Sequence, residues 1–267
     1  MSELAWEVPL MLPRNAFSAR DAARAGDVWR ACQDVAVEAS ILAGWGPPRY
    51  REMGSAFVVR SMRVVHHREP GYGERLVGRT WVSRFRRNTL STREVRIRGV
   101  QGPVASATQE WVHVDGAMRP CRAPADLVAA FPEHEEDASV VLPEVEERPG
   151  PLHRFAFRVW HTWMDPLDHV NHPAYLDWCD EGTCIVMQRA GLAPVALKPV
   201  AEKLTFRTGA VADERVTVES RRIGVTGAGA VAVGHRVLKD DGTLCADGVT
   251  VRTLVDGDSA LLVDAFE

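Results

Sequence analysis

Residues 165–191 of this 267-residue chain read DPLDHVNHPAYLDWCDEGTCIVMQRAG. An acid, an imidazole and a carboxamide, at Asp165, His169 and Asn171, stand within its first seven residues. The proline two positions later suits the first turn of a helix, and the closing glycine suits the residue after its end. A helix N-terminus presents unpaired backbone N–H groups and a partial positive charge. The stretch therefore predicts a polar loop leading into a helix, suited to attacking a carbonyl and holding the resulting oxyanion.

Two long segments have apolar residues at three- and four-residue spacing, which predicts two amphipathic helices. The first covers residues 25–43 and the second residues 173–190. Each ends in the dipeptide Ala-Gly, at Gly44 and Gly191, as a left-handed C-terminal cap expects. The two glycines are 147 positions apart, so the helices occupy matching places in two halves of the chain.

Four candidate strands follow each helix. They are residues 57–66, 75–85, 91–98 and 104–114 in the first half and 200–206, 214–223, 230–238 and 244–254 in the second. The dipeptides Asp115-Gly116 and Asp241-Gly242 mark turns at matching places. A long helix followed by four antiparallel strands suggests a sheet wrapped around one central helix. Repeated twice, this order predicts an α+β protein with two similar halves.

The segment between the halves has a different composition. Residues 132–152 are rich in acidic residues and interrupted by four prolines, which predicts a linker that buries little. We therefore expect an N-terminal domain at 1–131, a linker at 132–152 and a C-terminal domain at 153–267.

Composition restricts the class of protein. With 46% hydrophobic and 25% charged residues the chain has the composition of a soluble globular protein, and a net charge of −4 argues against a nucleic-acid binder. Residues 1–14 do not have the pattern of a signal peptide, and no apolar run has membrane-spanning length. The five cysteines include no Cys-x-x-Cys pair. We expect a cytoplasmic protein with free thiols, no membrane partner and no bound nucleic acid.

The residues at the start of the second helix admit more than one role. Asp165 is either the general base for water or the direct nucleophile, and the alternative is an aspartate that caps a turn. His169 would fix the substrate carbonyl or the carboxylate, and Asn171 would add a neutral donor or hold the loop in shape. A metal site built from these histidines with His161 and His172 matches no established zinc spacing, so we expect neither metal nor cofactor.

Other catalytic patterns fail on sequence context. No Gly-x-Ser-x-Gly elbow is present, and Cys179 and Cys184 lie inside the second helix, where packing is the expected role. The glycines of residues 224–229 open no helix and predict a hairpin loop. Arg84 and Arg86 share one strand face, which predicts either a solvated surface or a dock for the phosphates of coenzyme A or for an acyl carrier protein.

The second half resembles the hotdog-fold thioesterases. Its residues 165–175 are similar to their signature Asp-x-x-x-His-Val-Asn-x-x-x-Tyr, and Pro173-Ala-Tyr175-Leu-Asp-Trp178 resembles the 4-hydroxybenzoyl-CoA thioesterase branch. The first half resembles the N-terminal hotdog of acyl-acyl carrier protein thioesterases. The matching segments there are Phe57-Val-Val-Arg60, residues 68–74, Thr80-Trp-Val-Ser83, Glu110-Trp-Val-His-Val-Asp115 and residues 118–124.

The resemblance implies a tandem (double) hotdog in which the second half hydrolyses a fatty acyl thioester to the free acid. It assigns catalysis to Asp165 and His169 with Asn171, and we expect Tyr175 of the same motif to contact substrate. The family pattern is also altered. The family's asparagine two residues after the acid falls on Leu167, and its acid on the following strand falls near Gly209.

The first half has no second copy of the motif, because Ser18 and Ala22 stand 147 positions before Asp165 and His169. We therefore expect one catalytic centre per chain, with the first helix contributing Gln33 and Asp34 to substrate binding. The acyl tail would lie in an apolar slot between helix and sheet, lined from the first half.

The predicted function is hydrolysis of an acyl thioester carried by acyl carrier protein or coenzyme A. In it a carboxylate activates water, and the carbonyl is polarised at a helix N-terminus. The alternatives on the same fold are a non-catalytic acyl-thioester sensor and a hotdog dehydratase or hydratase. A homodimer of such chains is left open.

Overall fold

The computed structural model describes residues 5–134, 140–255 and 259–267. The chain divides into two compact units. The first is built mainly from Asp27–Val141 and the second mainly from Leu142–Glu267, with residues 18–20 and 24–26 grouped with the second. Among the described residues no helix has the length and apolar character needed to cross a membrane.

The first unit is an antiparallel sheet with one long helix. Its elements are β1 (Trp6–Leu10), α1 (Ala25–Leu42), α2 (Pro47–Glu52), β2 (Ser55–His66), β3 (Leu76–Arg86), β4 (Leu90–Gly99), β5 (Gly102–Asp115) and α3 (Ala125–Ala130). The strand order is β1-β3-β4-β5-β2. Helix α1 packs against the sheet, and the buried Arg93 of β4 donates to the carbonyl of Ala36 on the helix. A cluster of buried residues including Trp6, Trp45 and Leu127 forms part of the core of this unit.

The second unit repeats this plan. Its elements are β6 (Val145–Glu147), β7 (His153–Arg158), α4 (Pro173–Arg189), β8 (Leu197–Phe206), β9 (Arg215–Thr226), β10 (Val231–Lys239), β11 (Leu244–Leu254) and α5 (Ala260–Ala265). The antiparallel order is β8-β11-β10-β9, and both β6 and β7 pair with β9. Residues on α4, β10 and α5 form a buried cluster that includes Met187, Val233 and Leu262.

Both predicted long helices are present within one residue of the expected ends. Gly44 and Gly191 follow them with φ of +79° and +77°. This left-handed conformation favours glycine, because a side chain there would crowd the backbone. The eight predicted strands are also present, with ends shifted by at most three residues. The α+β class and the repeated order of one helix and four strands are therefore confirmed.

The predicted linker is partly wrong. Residues 145–147 form β6, and the backbone N–H groups of Arg148 and Gly150 donate to carbonyls of β9, so this part belongs to the sheet of the second unit. At the other end, Glu133 accepts the N–H of Phe85. Proline and acidic residues predicted a free linker here, but an edge strand also tolerates both. The acidic residues 135–137 of the predicted linker lie outside the described residues.

The segment that leads into the long helix has the same geometry in both halves. A short 3-10 turn covers Arg14–Ala16 in the first half and His161–Trp163 in the second. An isolated antiparallel bridge follows each turn, Phe17 with Ala23 and Met164 with Val170. Each residue of the first turn and bridge has its counterpart 147 positions later in the second, so the duplication extends to the loop that contains Asp165.

Candidate active site

The loop before α4 brings Asp165 and His169 together. The N–H of Asp165 donates to the carbonyl of His169 at 2.8 Å, and the N–H of Asp168 donates to the carbonyl of Asp165 at 3.1 Å. Asp168 closes this tight turn with φ of +59°, a conformation that Asp tolerates better than most residues. The four-residue spacing therefore becomes a pair of side chains on one turn.

The acid and the imidazole face each other in this turn. The Oδ2 of Asp165 lies 3.4 Å from the Nδ1 of His169, and the two side chains are 14% and 23% exposed. The Oδ1 of Asp165 accepts the N–H of Leu167 at 2.8 Å, which holds the carboxylate in place. The Nδ1 of His169 is buried and has no hydrogen-bond partner among the described residues. A substrate would therefore meet the ring from its Nε2 side.

Asn171 is anchored by its backbone at the base of the same loop. Its N–H donates to the carbonyl of Trp163 at 3.0 Å, and its carbonyl accepts the N–H of Ala174 at 2.9 Å. The side-chain Oδ1 is buried without a hydrogen-bond partner in the described part of the chain. With its carbonyl end enclosed, the carboxamide has its Nδ2 end left for a ligand. The structure thus groups Asp165, His169 and Asn171 on one short segment.

The start of α4 differs from the expected oxyanion site. Pro173 has no N–H, and the N–H groups of Ala174 and Tyr175 donate to the carbonyls of Asn171 and His172 at 2.9 and 3.2 Å. These three positions therefore do not present a preformed pair of free amides to a substrate carbonyl. The prediction of a carbonyl polarised by the first helical N–H groups is corrected, because the proline and the capping turn use those positions.

Tyr175 is enclosed behind the loop. It is 2% exposed, and its hydroxyl oxygen accepts the N–H of Ala210 at 2.8 Å. Burial raises the pKa of this phenol well above its usual range, although the bond from Ala210 acts in the opposite direction. Sequence reasoning placed Tyr175 in contact with substrate. The structure places its hydroxyl on the backbone of the β8–β9 loop instead.

The β8–β9 loop, residues 207–214, forms the wall behind His169. The carbonyl of Ala210 accepts the N–H of Val170 at 2.9 Å. A Cβ built on Gly209 would lie 3.0 Å from the Cβ of His169 and 3.3 Å from its Cγ. The family resemblance assigns an acid near position 209, but the space that a side chain at Gly209 would need is occupied by His169. Sequence reasoning missed this contact, because it is made by a backbone with no side-chain signal.

Aromatic rings line the approach to the loop. Trp160, which is 65% exposed, stacks on Trp163 with ring centroids 5.1 Å apart. Trp163 in turn contacts Phe157 and Trp178 at 5.7 and 5.3 Å. This cluster was not predicted as part of the site, although the spacing Trp-x-x-Trp just before Asp165 was available as a signal.

The predicted binding residues of the first half belong to the first unit. Gln33 and Asp34 lie on α1, half-buried and exposed respectively. Arg84 and Arg86 are exposed on β3, where Arg86 pairs with Glu110 at 2.8 Å. Arg84 has no ion pair within the described ranges. The roles predicted for these four residues in substrate binding stay predictions.

Several other chemistries find no support in the described residues. No group of three or more His, Cys, Asp or Glu side chains could hold a metal there. Burial raises the pKa of the Cys184 thiol to about 12 and that of Cys179 further, which disfavours a thiolate nucleophile. The space between α4 and β9, next to Gly182 and Ser220, measures only about 10 Å³. That volume holds about one water, so the slot as it stands has no room for an acyl tail.

Two family models match the chain, one in each half. The acyl-ACP thioesterase N-terminal domain matches residues 13–131, and the thioesterase-like superfamily matches residues 159–265. No curated protein sequence matches the chain.

Three solved structures are similar over both halves. A Lactobacillus plantarum protein described as an oleoyl thioesterase shares 17% identity at a TM-score of 0.80, covering 94% of this chain and 96% of its own. The 12:0-ACP thioesterase of Umbellularia californica shares 14% sequence identity at a TM-score of 0.77, and the match covers 96% of each chain. An acyl-ACP thioesterase of Bacteroides thetaiotaomicron shares 11% sequence identity at a TM-score of 0.74. The match covers 93% of this chain and 97% of that protein's chain.

At these identities the structures show the fold, which is the double hotdog predicted from sequence. The two family models together span most of the chain, and both describe thioesterases. The first half of the chain therefore carries an acyl-ACP thioesterase N-terminal domain and the second half a thioesterase-like domain, and the chain hydrolyses acyl thioesters.

Proposed function

We propose that this chain hydrolyses fatty acyl thioesters with Asp165 as the general base and His169 as the residue that orients and polarises the reacting groups. One observation carries the proposal. The Oδ2 of Asp165 lies 3.4 Å from the Nδ1 of His169, in a half-buried loop at the start of a long helix. A carboxylate and an imidazole in such contact can share the work of moving a proton.

The two carboxylate oxygens of Asp165 have different surroundings. Oδ1 is held by the N–H of Leu167, so Oδ2 is the oxygen that accepts a proton. In the proposed step, Oδ2 takes the proton of a water molecule while the water oxygen bonds to the thioester carbon. Collapse of the tetrahedral intermediate breaks the carbon–sulfur bond, and the leaving thiolate takes the proton held by Asp165 Oδ2, which restores the carboxylate.

Negative charge on the carbonyl oxygen needs donors in the tetrahedral intermediate. The first N–H groups of α4 are engaged in the capping turn, so side chains are the better candidates. The Nδ2 of Asn171 and the Nε2 of His169 are the polar ends that the buried Asn171 Oδ1 and His169 Nδ1 leave for a substrate. We assign the oxyanion to these two groups.

The carrier that we propose is an acyl carrier protein. The first half matches the N-terminal domain of acyl-ACP thioesterases, and Arg84 offers an exposed guanidinium on β3. A carrier of acidic surface would gain charge-assisted contacts there. Substituting Arg84→Glu should raise KM for acyl carrier protein substrates several-fold more than for acyl-CoA. The control is Arg98→Glu on β4, whose side chain is also exposed. Equal effects of the two substitutions would contradict the assignment.

Hydrolysis of a panel of acyl thioesters tests the catalytic roles. Asp165→Asn and His169→Ala should each lower kcat at least tenfold, because each removes one partner of the pair. The matched control is Asp168→Asn, an exposed acid in the same turn whose positive φ asparagine also tolerates. The site assignment is wrong if the wild type turns over and neither Asp165→Asn nor His169→Ala slows it more than the control.

The role of Asp165 as base, and not as nucleophile, has a separate test. Single turnover in ¹⁸O water by a base places the label in the released acid and none in the protein. A nucleophilic Asp165 would form an acyl anhydride, and water attack at its aspartyl carbon would place ¹⁸O in the peptide that contains residue 165. Label found in that peptide would overturn the general-base assignment.

A further inference from the structure

The backbone N–H and carbonyl of Ala210 connect the β8–β9 loop to helix α4 and to the turn that contains His169. The N–H of Ala210 donates to the hydroxyl of Tyr175 on α4, and its carbonyl accepts the N–H of Val170, the neighbour of His169. Ala210 and Tyr175 are 0% and 2% exposed. Losing either partner would leave a buried backbone group without a hydrogen bond, which is costly. The loop is therefore fixed relative to the helix and the turn at once.

The residue before Ala210 lies directly against the imidazole. A Cβ on Gly209 would stand 3.0, 3.3 and 3.5 Å from the Cβ, Cγ and Cδ2 of His169. The first two distances are tighter than ordinary carbon contacts, so a side chain at 209 would displace the histidine by some tenths of an ångström. The bare backbone of Gly209 thus sets how far the ring can retreat from Asp165.

The distance between the His169 ring and the Asp165 carboxylate explains why packing against Gly209 matters. His169 Nδ1 is 3.4 Å from Asp165 Oδ2, beyond a normal hydrogen bond, and it has no other partner in the described residues. Side-chain hydrogen bonding alone therefore does not fix the ring. Packing against Gly209, held by Tyr175 through Ala210, supplies the constraint.

We propose that Gly209 and Tyr175 are positioning residues for hydrolysis, which set the imidazole of His169 toward Asp165 without touching substrate. The inference rests on the proposed roles of Asp165 and His169. Small displacements of catalytic groups cost large factors in rate, up to about 100-fold for 1 Å. The effect belongs in kcat, because in this proposal Gly209 and the enclosed Tyr175 act on His169 and not on the substrate.

The test compares Gly209→Ala with Gly227→Ala, a hairpin-loop position where a Cβ meets nothing within 4 Å. Gly209→Ala should lower kcat at least tenfold with KM within about twofold. The ¹⁵N shifts of the His169 imidazole should also change. Gly227→Ala should leave both unchanged. Unaltered kcat and unaltered His169 shifts in Gly209→Ala would overturn the inference.

A second variant covers the case in which Gly209→Ala fails to fold. Tyr175→Phe keeps the ring and removes only the acceptor of the Ala210 N–H, so it should lower kcat several-fold and shift the same His169 signals. The control is Tyr72→Phe on the exposed Tyr72. If Tyr175→Phe behaves like that control, Tyr175 does not position His169.

These outcomes separate the inference from the proposed function. If Asp165→Asn retains full activity, the catalytic roles fail, whatever the His169 spectra show. If Asp165→Asn abolishes turnover while Gly209→Ala and Tyr175→Phe leave kcat and the His169 signals at wild-type values, only the positioning role fails.

Discussion

Asp21 and Asp168, which stand 147 positions apart, have the same left-handed backbone torsion, φ of +59°. Each closes the turn before a long helix. In the second half the turn is held by the Asp165 carboxylate, which accepts the N–H of Leu167 at 2.8 Å. In the first half the hydroxyl of Ser18 accepts the N–H of Arg20 at 3.3 Å. The loop therefore has the same shape in both halves, with an acid at its bonding position in the second half and a hydroxyl in the first.

This relationship predicts that only one of the two loops is catalytic. Ser18→Ala removes a partly exposed capping bond and should cost about 1 kcal/mol of stability or less. Steady-state kinetics should give kcat and KM within about twofold of wild type, because Ala22 supplies no imidazole beside it. A tenfold loss of kcat in Ser18→Ala, with normal folding by circular dichroism, would show that the first loop takes part in the reaction.

Thiol reagents should leave hydrolysis intact. Burial raises the pKa values of Cys179 and Cys184, so both stay protonated near neutral pH and react slowly. Treatment with N-ethylmaleimide, followed by mass spectrometry of the peptides, measures modification and activity on the same sample. Activity that disappears in step with modification of either cysteine would contradict a carboxylate mechanism.

Acid should destabilise the second unit through His235. This imidazole is buried between the hydroxyls of Ser220 and Thr250, each 2.9 Å away. Burial, with a smaller contribution from Arg252, lowers its pKa from 6.5 to about 3. Below pH 6.5 His235 is therefore protonated in the unfolded chain but stays neutral in the folded one. The free energy of unfolding consequently decreases as the pH falls from 6.5 toward about 3.

His235→Gln tests this pH dependence, since it keeps polar atoms between the two hydroxyls and removes the titration. Between pH 6.5 and about pH 4, wild type should lose up to about 3 kcal/mol more stability than the variant. Urea unfolding at a series of pH values measures the difference. Parallel pH profiles for the two proteins would rule out His235 as a source of acid sensitivity.

The ion pair between Arg252 and Glu202 should matter for stability because both side chains are fully enclosed, at 1% and 0% exposed. Arg252 also binds Asp180 on α4 at 2.8 Å. Glu202→Ala leaves a buried guanidinium short of a partner and should cost about 3–5 kcal/mol. Asp126→Ala, which breaks an exposed pair with Arg49, should cost about 1 kcal/mol or less.

Thermal unfolding of the two variants gives the comparison. Replacing the pair with apolar residues, as Glu202→Leu with Arg252→Met, should recover part of the loss, because burying a charge without its partner is the main cost. Equal melting temperatures for Glu202→Ala and Asp126→Ala would contradict the argument.

Local signals in the sequence were sufficient for the two long helices and the eight longer strands. Periodicity and the Ala-Gly ends predicted α1 and α4 within one residue, since burial of one helix face and the left-handed cap are properties of neighbouring residues. The short strands β1, β6 and β7 were not predicted. Each has at most six residues and pairs with a strand far away in sequence, so its few residues carry little periodic signal.

The sequence by itself determined the duplicated α+β plan, the family resemblance and the proximity of Asp165, His169 and Asn171, because these depend on residues close together in the chain. Only the tertiary structure decided that the first amides of α4 are already engaged and that Tyr175 faces a backbone. It also decided that Gly209 backs the imidazole. The Tyr175–Ala210 and His169–Gly209 contacts join segments about 35–40 residues apart, whereas the amides of α4 bond within one turn. In each case main-chain atoms make the contact, and every residue carries these atoms, so no sequence pattern distinguishes them.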